Sequence, residues 1–68
     1  MYLKGVVKKS NRITLYTDQN IISFDLMNTD TPKQIILDLQ IEGLNISNLD
    51  YLYKLLRIVL YTRFSSIV

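Results

Sequence analysis

The residues with the clearest chemical potential lie near the N-terminus, where cations are interleaved with tyrosine. These candidate contact residues are Lys4, Lys8, Arg12 and Tyr16. Lysine and arginine bind phosphate groups and tyrosine rings stack on bases, so on one face of a sheet they would form a nucleic-acid surface. The same pattern is ordinary for the solvated face of a small sheet, where lysine also blocks unwanted strand pairing. Both interpretations stay open, and the same side chains could contact a protein partner.

The sequence contains few of the residues that catalysis and metal binding normally need. The chain contains no His and no Cys, which are the usual general base and the usual ligands of zinc, haem and iron–sulfur clusters. No nucleophile motif such as G-x-S-x-G occurs, and Gly5 and Gly43 are too few to build a phosphate-binding loop. We therefore predict that the protein is not an enzyme and uses no cofactor or metal.

The first half of the chain predicts β-structure, because Val, Ile, Thr, Tyr and Phe dominate and turn-forming residues interrupt them. The predicted strands cover residues 2–9, 12–17 and 21–27. On the first strand, simple alternation would place Lys4, Val6 and Lys8 on one face. The turns at Ser10 and at Asp18 are short, and short turns join antiparallel neighbours. The pattern therefore predicts a three-stranded antiparallel meander.

The second half predicts two helices. Thr31 and Pro32 form a helix start that Gln34 would complete as a capping box, and Gly43 is a helix stop. A second helix is predicted from just after Ser47, its expected N-cap residue, to about Phe64. We therefore expect an α+β fold, a β-β-β-α-α chain with both helices packed on one face of the sheet. Residues 1–68 would form a single domain, with the sheet in 2–27 and the helices in 31–64.

The last predicted helix is apolar around most of its circumference. Only Asp50, Lys54 and Arg57 are charged between Leu49 and Tyr61, and a surface helix needs an apolar stripe of just over 100°. We predict that the excess forms a homodimer interface through Leu49, Tyr53, Leu56, Leu60 and Phe64. The alternative is that this helix lies between the sheet and the first helix, so that both of its sides belong to one core.

The composition of the chain supports the remaining predictions, which concern localisation, source and function. The net charge is +2 and no apolar run reaches 18 residues, so we predict a cytoplasmic protein with no membrane span. The absence of Ala and the abundance of Ile, Asn and Lys are typical of AT-rich genomes, including their phages and plasmids. We predict a small non-enzymatic homodimer that acts sterically on a macromolecular partner, such as an inhibitor from a mobile element. The alternative is a nucleic-acid-binding regulator that uses the basic, tyrosine-containing sheet face.

Overall fold

The computed structural model describes residues 1–62 and the backbone of residues 66–67. Its elements are β1 (Leu3–Lys9), β2 (Arg12–Thr17), β3 (Ile21–Asp25), α1 (Pro32–Ile41), α2 (Leu49–Tyr61) and β4 (Ser66–Ile67). The predicted α+β arrangement is confirmed, since three antiparallel strands of one sheet precede two helices. The predicted end of the last helix is wrong, because α2 ends at Tyr61 and Thr62 has an extended backbone. Phe64 lies outside the described residues.

A fourth strand completes the sheet, and the sequence did not predict it. The strand order is β3-β2-β1-β4, and β4 pairs antiparallel with β1 through Val6 and Ile67. β4 has only two residues, which is too short for any alternation pattern to be visible. The first strand of the chain is therefore an interior strand, and β3 lies at the opposite edge.

A β-bulge in β1 sets which side chains face the core. Leu3 pairs with Thr17 but Gly5 pairs with Tyr16, so the register shifts by one residue at Lys4. The shift lets both Leu3 and Val6 face the core, where each is fully buried. An extra residue in one strand reverses the alternation beyond it. Val6 and Lys8 share a face as predicted, the core-facing one, whereas the prediction that Lys4 lies on the same face is wrong.

The predicted ends of α1 are confirmed. The Thr31 side chain accepts a hydrogen bond from the Gln34 amide at 3.2 Å, and Pro32 occupies the first turn. At the other end Gly43 adopts φ 81°, and the Leu44 amide donates to the Leu39 carbonyl at 2.9 Å, which is a Schellman motif. The capping box is incomplete, because the Gln34 side chain donates to Asp38 instead.

Asn48 ties the start of α2 to β1. Its side-chain amide donates to the Leu3 carbonyl at 3.0 Å, and its side-chain oxygen accepts from the Leu3 amide at 2.8 Å. Asn48, rather than the predicted Ser47, is the N-cap residue of α2. Ser47 instead donates its backbone amide and its hydroxyl to the Met1 carbonyl. The beginning of β1 is thus held by the connection between the helices.

The core lies between one face of the sheet and α2, with α1 packed against α2. Its fully buried large side chains are Leu3, Val6, Ile13, Leu15, Leu52 and Leu56. No buried polar side chain occurs among the described residues. Across that same part of the chain, neither helix has the length and apolarity needed to cross a bilayer.

Candidate interaction surfaces

The apolar side of α2 that was expected to face a second molecule is largely covered within one chain. Leu56 is fully buried, while Leu49, Tyr53 and Leu60 are half-buried. The reason is that α2 contacts β1, β4 and α1 at once, as in the alternative interpretation of a sandwiched helix. Leu56 therefore offers no surface to another molecule, and the premise of the α2 interface is not met.

The solvent side of α2 carries all three of its charged residues together with Tyr61. Asp50, Lys54, Arg57 and Tyr61 are all exposed. The Arg57 guanidinium lies 5.8 Å from the centroid of the Tyr53 ring, within the range of a cation–π contact. Tyr53 itself is half-buried.

A separate apolar stripe lies open on α1. Leu37 is 52% exposed and Ile41 is 82% exposed, and their i,i+4 spacing puts them on one side of the helix. Ile35 and Leu39, on the opposite side, are buried in the core. Lys33 lies one turn before Leu37 on the same outer side and is exposed. The most exposed aliphatic side chains of the two helices are therefore on α1, not on α2.

The outer face of the sheet, which carries no helix, changes character along its length. At one end the Arg12 guanidinium lies 3.1 Å from the Asp25 carboxylate, and both side chains are exposed. In the middle, the Thr14 and Ser23 hydroxyls are hydrogen-bonded at 3.1 Å. At the other end Tyr16 pairs with Ile21. The face thus passes from charged through polar to apolar.

The structure divides the predicted basic contact residues. Arg12 and Tyr16 lie on the outer face, and Lys4 is exposed at the bulge. Lys8 pairs with buried Ile13 and so belongs to the other face, while Lys9 pairs with Arg12. Sequence reasoning missed Lys9. Gly5 was the available signal, because a glycine inside a strand often marks a bulge.

A groove lies between β3 and α1, and sequence reasoning missed it too. It has a volume of about 190 Å³. Ile22 and Phe24 of β3 line it together with Ile35 and Leu39 of α1. Its lining also includes the acidic residues Asp25, Asp30, Asp38 and Glu42, and none of the described residues that line it is basic. Within the described residues, no group of three or more acidic side chains is close enough to hold a metal ion.

No protein-family model, curated protein or solved structure matches this chain. Inferences about its function therefore start from the surfaces described above.

Proposed function

We propose that this chain is a small non-enzymatic binding protein that forms a homodimer and acts by occupying a macromolecular partner. The observation that supports self-association is the exposure of Leu37 and Ile41, 52% and 82%, on one side of α1. Burying such a side chain stabilises a complex by about 1.5–3 kcal/mol. The other large aliphatic side chains on the helices are mostly covered, so on the helices this stripe is the aliphatic surface left for a partner to bury.

A second copy of the chain fits this stripe well. A two-fold contact places the same patch on both subunits, so α1 would lie antiparallel to α1 of the other subunit with the two stripes together. Lys33 would then approach the C-terminal end of the other α1, where α1 itself has no basic residue. A cation is favourable there because carbonyl groups give that helix end a partial negative charge. The contact is small compared with a standard interface, so we expect a dissociation constant on the order of tens of micromolar.

Sedimentation equilibrium between roughly 5 and 500 µM tests the dimer, over a range chosen around the expected affinity. We expect the mass to rise from that of one chain, 8.0 kDa, towards twice that value. Ile41→Asp should remain monomeric throughout. Gln40→Asp is the matched control, since Gln40 is exposed on the same helix, and it should dimerise like the native chain. A native chain that stays monomeric at every concentration contradicts the dimer proposal.

For the partner we propose contact through the sheet side of the molecule, with Lys4, Lys9, Arg12 and Tyr16 on its outer face. Nucleic acid is the weaker candidate, because Arg12 is paired with Asp25 and Lys8 lies on the other face. The dependence of binding on salt concentration distinguishes a nucleic-acid partner from a protein partner. Binding of a labelled single-stranded oligonucleotide should weaken steeply as salt rises, by counterion release, whereas contact with an apolar protein surface should change little.

A further inference from the structure

The outer edge of β3 has unpaired backbone groups. β3 lies at one end of the strand order, and among the described residues no other strand pairs with that edge. The Thr17 amide donates to the Asn20 carbonyl and the Leu26 amide donates to the Asn11 carbonyl. Hydrogen-bonded pairs alternate along an antiparallel ladder, so Ile22 and Phe24 bond to β2. The amide and carbonyl groups of Ile21, Ser23 and Asp25 therefore point outward.

This edge lacks the usual protection. Exposed edges are commonly blocked by lysine, proline or a bulge. β3 contains neither lysine nor proline, and its register with β2 is regular from Tyr16–Ile21 to Arg12–Asp25. Its one charged side chain, Asp25, is engaged by Arg12 on the outer face. A strand from another molecule can therefore approach the outward backbone groups.

The groove beside the edge indicates which side chains such a strand carries. A strand added to β3 lies about 4.8 Å away from it, which places its helix-facing side chains over the groove. Ile22, Phe24 and Leu39 give the groove an apolar lining, and Asp38 and Glu42 of α1 are exposed carboxylates at its border. Apolar side chains fit the lining, and lysine or arginine fits the border.

We infer that the β3 edge binds an extended segment of a partner protein whose helix-facing residues, every second one along the strand, include both apolar side chains and lysine or arginine. This inference deepens the proposed binding function and rests on it. The segment adds a strand to the sheet through the outward groups of Ile21, Ser23 and Asp25, and its side chains supply specificity. A second copy is disfavoured at this edge, because pairing β3 with β3 brings two sets of carboxylates together.

The test uses a labelled peptide of about eight residues with blocked ends, a length that covers a typical strand. Valine and lysine take turns at every second position, so that both lie on the helix-facing side, and threonine fills the positions between them. Fluorescence anisotropy measures its binding to the full chain. Ser23→Pro removes an outward amide without removing a hydrogen bond to β2, and proline is tolerated at such edge positions. We expect at least about tenfold weaker binding, because main-chain hydrogen bonds carry affinity in this mode. Ser23→Ala, the matched control, keeps the amide and should bind within about twofold of the native chain.

Two further measurements do not depend on whether Ser23→Pro folds. A peptide N-methylated at every residue cannot form a strand ladder and should not bind the native chain. A peptide with glutamate in place of lysine should bind at least about tenfold more weakly than the lysine peptide, because like charges oppose the exposed carboxylates. The double variant Asp38→Asn, Glu42→Gln should reduce this difference.

The inference is overturned if Ser23→Pro and Ser23→Ala bind the peptide equally, if the N-methylated peptide binds, or if the glutamate peptide binds as well as the lysine peptide. It is also overturned if Ser23→Pro abolishes self-association while Ile41→Asp does not, since the edge then holds a second copy. A native chain that dimerises through α1 but does not bind the peptide loses this inference and keeps its proposed dimer.

Discussion

The two helices use their apolar residues in different ways. α2 packs against the sheet and α1 together, and its apolar side chains are mostly buried or half-buried. α1 packs on α2 with Ile35 and Leu39, and leaves Leu37 and Ile41 open on its other side. The helix with more apolar residues is therefore the better covered one. What decides exposure is the number of neighbouring elements, not the apolar content of the helix itself.

The largest effect that this comparison predicts is at the centre of α2. Leu56 is fully buried, and Leu56→Ala should lower the free energy of unfolding by about 2–5 kcal/mol, through lost transfer energy and a cavity. Urea denaturation followed by circular dichroism measures this change. Ile41→Ala on the open side of α1 is the control and should cost less than about 0.5 kcal/mol. Similar losses for the two variants would mean that the helices are equally buried.

The second-largest loss of stability is predicted for the hydrogen bonds that attach the start of α2 to β1. Asn48→Ala removes two hydrogen bonds to Leu3 and leaves a half-buried amide and carbonyl unpaired. We expect unfolding free energy to fall by about 1–3 kcal/mol. Asn45→Ala, at an exposed position in the same connection, should have almost no effect. In amide hydrogen exchange, the Leu3 amide should lose protection in the Asn48 variant. Unchanged protection of that amide would contradict the role assigned to Asn48.

A smaller effect is predicted at the end of α1. Gly43 has φ 81° and no atom lies within 4 Å of an added Cβ, so Gly43→Ala costs only the left-handed backbone conformation. That cost is about 1 kcal/mol. Gly43→Asn should cost less, because asparagine tolerates this conformation better. Thermal denaturation of the three chains should rank them Gly, Asn, Ala in order of falling stability. Any other order would show that the residue leaves the left-handed region.

The smallest change in the stability of the monomer is predicted for the exposed stripe of Leu37 and Ile41 on α1. Leu37→Gln should change the unfolding free energy of the monomer by less than about 0.5 kcal/mol, when measured well below the expected dissociation constant. At high concentration the same variant should lose the concentration dependence of the melting temperature that dimerisation gives the native chain. A native chain whose melting temperature is independent of concentration would count against the dimer.

Sequence signals that involve only neighbouring residues predicted the helices and strands well. Thr31 and Pro32 begin α1 and Gly43 ends it, because capping and left-handed conformations depend on nearby residues. The alternation in β2 places Ile13 and Leu15 in the core, as period-two patterns do in a sheet covered on one side. Each of these features depends on residues within about one helical turn or one hairpin, so it can be predicted from the local sequence.

Features that depend on distant residues were not predictable in the same way. The bulge at Lys4 reverses one strand face, and simple alternation cannot reveal it. How far α2 is buried depends on where β4 and α1 lie. The helical periodicity of the sequence shows which residues are apolar, but not which elements pack against them. The candidate edge at β3 depends on β4 pairing with β1 rather than with β3. Two residues of strand carry too little pattern to choose between those edges.

The placement of β4 next to β1 has a consequence for biosynthesis. β1 is translated well before its second neighbour, which is made from residues 66–67, and Asn48 reaches it only after α1 has been translated. A nascent chain that has completed the β1–β2–β3 meander therefore exposes two open strand edges, those of β1 and β3. Pairing of β4 with β1 then leaves β3 as the edge still available.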